Sequence, residues 1–458
     1  MSNRSFISAA GLISLLVVIP QAIQVLALSP LSAVGAKFFD EDGKQFYIKG
    51  VAYQLTDDDP LIDTEQCKLD AKLMKELGAN TIRVYHVDPN GDHDGCMSAF
   101  SNAGIYLFVD LETFTTSINQ DAPAWTDSEF SAYKKVLDTF HGYDNLAGVL
   151  VGNEVLTRLN GSQAAPYVKA AARDIKAYRD SKGYRKIPVG YAAADIASLR
   201  PMLQNYMACS TNSSENLDFF ALNAYEWCGD SSYTVSGYDE LQKNATGYPI
   251  PIFFSETGCN KPEPRTFDDQ TAIFGPEMDG TWSGAIVYEW IQEANNYGLI
   301  SYGPSVATGD PDAATASDVQ GGYTRQGTPT PISPDFANLK SRWATLTPSG
   351  VALSDYTASA SSLTPPPCPS STPSGWTVDP SSPLPTLGQV GGGSQTTGAE
   401  ATRDGSSATG AAASASATKS SAANSVYINP DGVGVGVGVV KLLITVIVGF
   451  VGFMCWWL

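Results

Sequence analysis

The sequence predicts a (β/α)8 barrel followed by a disordered stalk rich in Ser, Thr, Ala and Gly, and three observations carry that prediction. Between about residues 36 and 300, eight short β-branched and aromatic runs alternate with amphipathic stretches, the pattern of repeated βα units. Eight units in roughly 260 residues match the usual size of such a barrel. After about Ala358 the chain becomes dominated by Ser, Thr, Ala, Gly and Pro, a composition too poor in apolar groups to offset the entropy of ordering. The 458 residues could hold two or three domains by length, but this tail leaves one large folded domain, expected over residues 28–357.

In chain order, residues 1–27 open with Arg4 and run mostly apolar from Ile7 to Ile19 before Pro20, with Val25 and Ala27 suited to cleavage. That is the layout of a secretory signal peptide, and it is shorter than the roughly 20 residues a spanning helix needs. The eight strand-like runs are Gln45–Gln54, Asn80–Val87, Ile105–Leu111, Ala147–Val155, Ile187–Tyr191, Phe219–Tyr225, Pro251–Glu256 and Gly284–Trp290. Between the first two, Cys67–Leu77 has helical periodicity and meets a stop signal at Gly78. Residues 301–334 are rich in Gly, Pro, Asp, Ser and Thr and predict a long surface loop before a helix over Asp335–Leu346. Residues 358–425 then form the stalk. Leu442 to Leu458 is uncharged, and the small residues around Asn424 precede a Gly/Val-rich spacer. Together these predict a GPI-attachment signal over 426–458 with attachment near Asn424.

The formal net charge of −19 argues against nucleic acid and anionic surfaces, since phosphates need neutralising. A neutral polymer is the compatible partner. Of seven cysteines, Cys455 falls in the segment that anchor attachment removes. Six remain, and three disulfides are expected in a secreted protein. Six cysteines allow 15 connectivities, with Cys67–Cys96 and Cys228–Cys259 attractive as local clips. Sequons at Asn160, Asn212 and Asn244 predict surface glycosylation.

In such a barrel, catalytic groups project from the C-terminal ends of strands, so an acid closing an apolar run is informative. Glu154 closes the fourth run and Glu256 the seventh. These strands face each other across the barrel mouth, which can bring two carboxyls to the roughly 5 to 5.5 Å used by retaining glycosidases. One glutamate must hold a proton for the leaving oxygen while the other stays ionised to attack. Asn153 can reach the sugar hydroxyl beside the reacting carbon. Arg83, Tyr85, Asp110, Tyr225 and Tyr288 end other runs on the same rim, the arginine suited to keeping a carboxylate ionised and the tyrosines to bonding it or stacking on sugars. The three histidines fit no hydrolase triad, and no Gly-x-Ser-x-Gly elbow is present. His86, Asp92, His93, Asp94 and Cys96 could suggest a metal site, but Cys96 is claimed by a disulfide. Neither a metal nor a cofactor is expected.

Six strings, in order along nearly the whole barrel, resemble one known family: Phe46–Gln54, Asn80–Tyr85, Gly152–Val155, Asn223–Gly229, Phe254–Asn260 and Gln292–Leu299. They are similar to the fungal GPI-anchored β-1,3-glucanosyltransferases of glycoside hydrolase family 72. The resemblance implies Glu154 as acid/base and Glu256 as nucleophile, with Gln54, Tyr85, Asp110, Asn153, Tyr225 and Tyr288 lining the donor site. It implies pairing of Cys67 with Cys96, Cys228 with Cys259 and Cys209 with Cys368. It further implies internal cleavage of a β-1,3-glucan and transfer of the fragment's new reducing end to the non-reducing end of another chain. The expected partners are thus β-1,3-glucan donor and acceptor chains and, through the GPI anchor, the plasma membrane; a monomer at the cell wall is expected. Some members carry a cysteine-rich glucan-binding module after the barrel. Here Cys368 is the one cysteine between Cys259 and Cys455, so the chain resembles the shorter subfamily. Transfer and hydrolysis share the covalent intermediate, so the two glutamates alone leave open a plain endo-β-1,3-glucanase. A non-catalytic glucan-binding wall protein is the alternative of a different class.

Overall fold

A computed structural model describes residues 28–54, 58–113, 115–303, 319–372 and 375–391. The expected signal peptide, the stalk beyond residue 391, Asn424 and the GPI signal lie outside the described residues.

Eight parallel strands close into a barrel: β1 (Ile48–Ala52), β2 (Thr81–Val84), β3 (Tyr106–Asp110), β4 (Leu146–Asn153), β5 (Val189–Ala194), β6 (Phe219–Asn223), β7 (Ile252–Thr257) and β8 (Trp282–Val287). Each is paired with its sequence neighbours, and β8 pairs β1 to complete the ring. Helices follow the strands: α1 (Thr64–Leu77), α2 (Asp94–Ala103), α3 (Asp127–Phe140), α4 (Ala165–Ser181), α5 (Arg200–Ala208), α6 (Tyr238–Ala245), α7 (Asp268–Ile273) and α8 (Asp335–Thr345). α1 starts three residues before the predicted Cys67 because the Asp63 side chain accepts the N–H groups of Glu65 and Gln66. It ends at Gly78, whose φ of 96° closes the last turn.

Two cores result. One lies between strands and helices, and the other fills the barrel with Ile48, Ala52, Phe108, Leu150, Ala192, Ala221, Phe253 and Ile286. The predicted first run divides in two. Gln45–Phe46 joins Ser32–Val34 and Lys37–Phe39 in a small antiparallel sheet ahead of β1. From that sheet Phe38 meets Phe108, Phe219 and Phe253 at ring distances of 5.9 to 6.1 Å. Phe219 opens β6, so the sheet caps the end where the strands begin and leaves chemistry to the opposite mouth.

Two boundaries differ from the sequence reading. The 301–334 region is held at its described ends: Tyr302 donates to buried Asp70 at 2.8 Å, and Thr330–Pro331 pairs Ile300–Ser301. The stalk expected from residue 358 gives way to folded chain over its described part, because α9 (Leu353–Ala360) and the described segment to residue 391 are folded onto the barrel. Few but well-placed anchors achieve this. Cys368 is bonded to Cys209 at the end of α5, and Trp376 is fully buried 5.3 Å from the Tyr206 ring. The Gly388 N–H donates to the Trp125 carbonyl at 2.8 Å, and Arg173 to that of Pro385 at 2.8 Å. Average composition hides such a strap, since a single buried tryptophan and one crosslink offset much ordering entropy.

Candidate active site

The mouth is organised around Arg83, the last residue but one of β2, which has no solvent exposure. Its Nε and Nη2 donate to the two Asp110 oxygens at 3.1 and 2.8 Å, a bidentate pair. Nη2 also reaches the Asn153 Oδ1 at 2.8 Å, while Nη1 faces the Glu256 Oε1, the Asn223 Oδ1 and the Ser255 carbonyl, each at 3.4 Å. Burial opposes the guanidinium charge, but Asp110, Tyr85 and Glu256 outweigh it and hold Arg83 above its ordinary range. Asp110 closes β3 and is 1 % exposed, with both its oxygens engaged by this arginine, so it holds Arg83 and does not open onto the mouth.

Glu256 sits on β7, where the register against β6 shifts after Phe254 and re-aims the strand end toward the mouth. Its Oε1 accepts the Tyr85 hydroxyl at 2.9 Å and its Oε2 the Tyr225 hydroxyl at 2.7 Å. Burial pushes the carboxyl up to about 7, with the Glu154 charge adding to it and Arg83, Tyr225 and Tyr85 opposing. The side chain keeps 11 % exposure, so the mouth reaches it.

Glu154 follows the last residue of β4. Its backbone N–H continues the ladder to the Ala192 carbonyl at 2.8 Å, yet its φ is 49°, a conformation costly for a residue with a side chain and common at functional sites. Gly152 makes room for the turn, because a Cβ there would lie 2.9 Å from Val155 and 3.3 Å from the Tyr191 ring. Asn223 and Arg83 together link the two glutamates. The Asn223 amide donates to the Glu154 Oε1 at 2.9 Å and to the Asn153 Oδ1 at 3.0 Å, and its own Oδ1 accepts the Ser255 hydroxyl at 2.7 Å.

Gln54 accepts the Tyr85 N–H at 3.3 Å, and Tyr288 packs edge-on to Tyr85 and Tyr225 at 6.5 and 6.4 Å. Tyr297, which the sequence reading places in the Gln292–Leu299 string without a site role, packs on Tyr225 and Tyr288 at 5.7 and 5.5 Å. Glu154, Asn153, Tyr85, Tyr225, Tyr288 and Gln54 are all partly exposed, so the structure gathers the predicted rim residues around one opening. The sequence reading gives no site role to Asn223 and Tyr297, although both stand in its family strings, and does not name Glu112. Asn223 has a signal, as a polar residue near the end of the sixth apolar run that closes β6 in the structure. Glu112 and Tyr297 lie in irregular segments beyond strand ends, where no period marks them.

The remaining predicted positions fall elsewhere. The disulfides are Cys67–Cys96, Cys209–Cys368 and Cys228–Cys259, the last two residues belonging to loops after β6 and β7 that flank the mouth. Asn160 and Asn212 are exposed, and Asn244 on α6 is half-buried. The histidine cluster is divided among structural partners: His93 is paired with Asp59 at 2.6 Å, and Cys96 is in its disulfide.

A closed (β/α)8 barrel with carboxylates at the ends of β4 and β7, one held by an arginine and two tyrosines, defines the class of carbohydrate-active barrels. The glucanosyltransferase model of glycoside hydrolase family 72 matches residues 21–315. The fission yeast (Schizosaccharomyces pombe) 1,3-beta-glucanosyltransferase gas2 is 41 % identical over 364 residues, covering 76 % of this chain and 74 % of that one. The chain therefore belongs to glycoside hydrolase family 72, the glucanosyltransferases. The Candida albicans 1,3-beta-glucanosyltransferase PGA5 is 40 % identical over 354 residues, 72 % of this chain. The match spans about half of that relative's own length, 52 %. Among solved structures, a Saccharomyces cerevisiae Gas2p mutant in complex with laminaritetraose and laminaripentaose superposes with a TM-score of 0.68 at 38 % identity, over 78 % of this chain and 74 % of that one.

Proposed function

We propose that the protein is a retaining β-1,3-glucanosyltransferase that elongates cell-wall glucan. The observation that carries this reading is the hydrogen-bonded set joining Glu154 to Glu256 through Asn223 and Arg83 at one barrel mouth. Three donors converge on Glu256 and oppose the burial that pushes its carboxyl up to about 7; donors to a carboxylate favour its ionised form, which suits it to be the nucleophile once it is ionised. Glu154 has one such donor among the described residues, Asn223, and is the acid/base.

In the first step a Glu256 oxygen attacks the anomeric carbon, the glycosidic C–O bond breaks, and Glu154 gives its proton to the leaving oxygen. The fragment with the new reducing end stays on Glu256 as a glycosyl ester. In the second step Glu154 takes the proton from the 3-hydroxyl at the non-reducing end of an acceptor chain. That oxygen attacks the anomeric carbon and Glu256 departs, so two inversions give net retention. Arg83 balances the nucleophile's charge, Asn153 donates to the hydroxyl beside the reacting carbon, and Gln54, Tyr85, Tyr225 and Tyr288 form the walls that orient the donor sugar.

The same reading includes secretion through the 1–27 signal, a GPI anchor attached near Asn424 on the outer face of the plasma membrane, and a linking stalk from about residue 392 to 425. It also includes glycans at Asn160, Asn212 and Asn244, and a monomer. Three disulfides support a place outside the reducing cytosol. Incubation with a reduced laminari-oligosaccharide followed by product sizing tests the function. Products longer than the substrate are expected, and exclusively shorter products would leave a glucanase.

A further inference from the structure

Glu112 is a buried carboxyl of the barrel mouth that the two-step reaction does not use. It lies just beyond the end of β3 and is 9 % exposed. Its Oε1 accepts the backbone N–H of Asn153 at 2.7 Å. Its Oε2 is buried and has no hydrogen-bond partner among the described residues. The charged and titratable groups facing it are Asp110 beside it, Arg83 from β2, Tyr133 from α3 and Tyr191 from β5. An anion here would stand next to the Asp110 charge with one oxygen unmatched, an arrangement that costs far more than a neutral acid. Burial first and Asp110 second push the carboxyl up to about 8, against the Asn153 N–H and Arg83.

The geometry points to Glu112 as a positioning residue for the reaction, one whose carbonyl-type oxygen anchors the backbone at Asn153 and so fixes where the neighbouring Glu154 carboxyl stands. The inference rests on the function proposed above. Glu154 is held at a φ of 49°, and such a conformation persists only where its surroundings over-determine it. Three bonds do so: Glu112 to the Asn153 N–H, the Ala192 carbonyl to the Glu154 N–H, and Asn223 to the Glu154 side chain. Asn153 is also gripped by Arg83 and Asn223 through its own side chain. Removing Glu112 leaves the side-chain grips in place but frees the backbone at the residue before the strained one. The anchor needs an acceptor and not a charge, so an amide serves equally well.

The test compares Glu112→Gln and Glu112→Ala with the unaltered protein on a reduced laminari-oligosaccharide, reading kcat, KM and thermal midpoint. The alanine variant is expected to lose about 10- to 100-fold in kcat with KM within about threefold, the signature of a misplaced catalytic group. The glutamine variant is expected to stay within about threefold of the unaltered kcat. Should the alanine variant not fold, Glu112→Met, which keeps volume and lacks the acceptor, takes its place with the same expectation. Full kcat in the variant lacking the acceptor would overturn the assignment, as would a glutamine variant as impaired as the alanine one. An unaltered protein without activity would instead bring down the function on which the assignment rests.

Discussion

Removing the Tyr225 hydroxyl tests how the nucleophile is kept charged. In Tyr225→Phe the ring and its packing against Tyr288 and Tyr297 are kept, and the donor 2.7 Å from the Glu256 Oε2 is lost. A hydrogen bond to a charged group contributes about 1.5 to 3 kcal/mol. Glu256 is 8 % exposed, so solvent replaces little of that. With about 1.4 kcal/mol per tenfold change in proton affinity, the acid limb of the kcat/KM profile should rise by about 1 to 2 pH units. Starting from a carboxyl at about 7, the ionised fraction at pH 6 falls from roughly a tenth to roughly a hundredth or less. The assay is initial-rate transfer on a reduced laminari-oligosaccharide between pH 4 and 9. Tyr178→Phe on α4, where the hydroxyl bonds Asp138 and not the site, is the control. An acid limb that stays where it is in Tyr225→Phe would refute the account of Glu256 as a carboxylate held by donors.

Other outcomes follow from the same geometry. Replacing Cys209 and Cys368 by serine opens a crosslink spanning 159 residues; the chain-entropy model gives a loss of about 5 kcal/mol, measurable by urea unfolding, and an unchanged midpoint would show that the strap is held without it. Trp376→Ala should cost about 3 to 5 kcal/mol in the same unfolding assay, since the ring is fully buried; a change below about 1 kcal/mol would contradict its role as an anchor. Stability should fall as pH rises from about 5 to about 8: burial pushes Glu112 and Glu289 up to about 8, so the folded state keeps protons that the unfolded chain releases above its ordinary carboxyl range near 4. A thermal midpoint that climbs over that interval would oppose this, and Glu112→Gln should flatten the fall.

The barrel was legible because strands buried on both faces must be runs of apolar residues, and because an acid that ends such a run interrupts the pattern visibly. Glu154, Glu256 and Arg83 stand out for that reason. Burial was not legible: Asp110 closes β3, yet only the fold shows both its oxygens engaged by Arg83 and closed to solvent. Glu112 lies beyond its strand end, where the side chain's direction depends on the next strand's backbone and no local spacing encodes it. The folded strap to residue 391 was missed because propensity averages over composition, whereas Trp376 and Cys368 act as single long-range contacts.

Trapping the covalent intermediate tests the central claim most directly. Glu154→Gln incubated with an activated laminaribiosyl fluoride, whose leaving group needs no acid, should accumulate a glycosyl adduct on the peptide containing Glu256, seen by mass spectrometry after digestion. An adduct on another residue, or release of product with inverted anomeric configuration and no adduct at all, would contradict the double displacement.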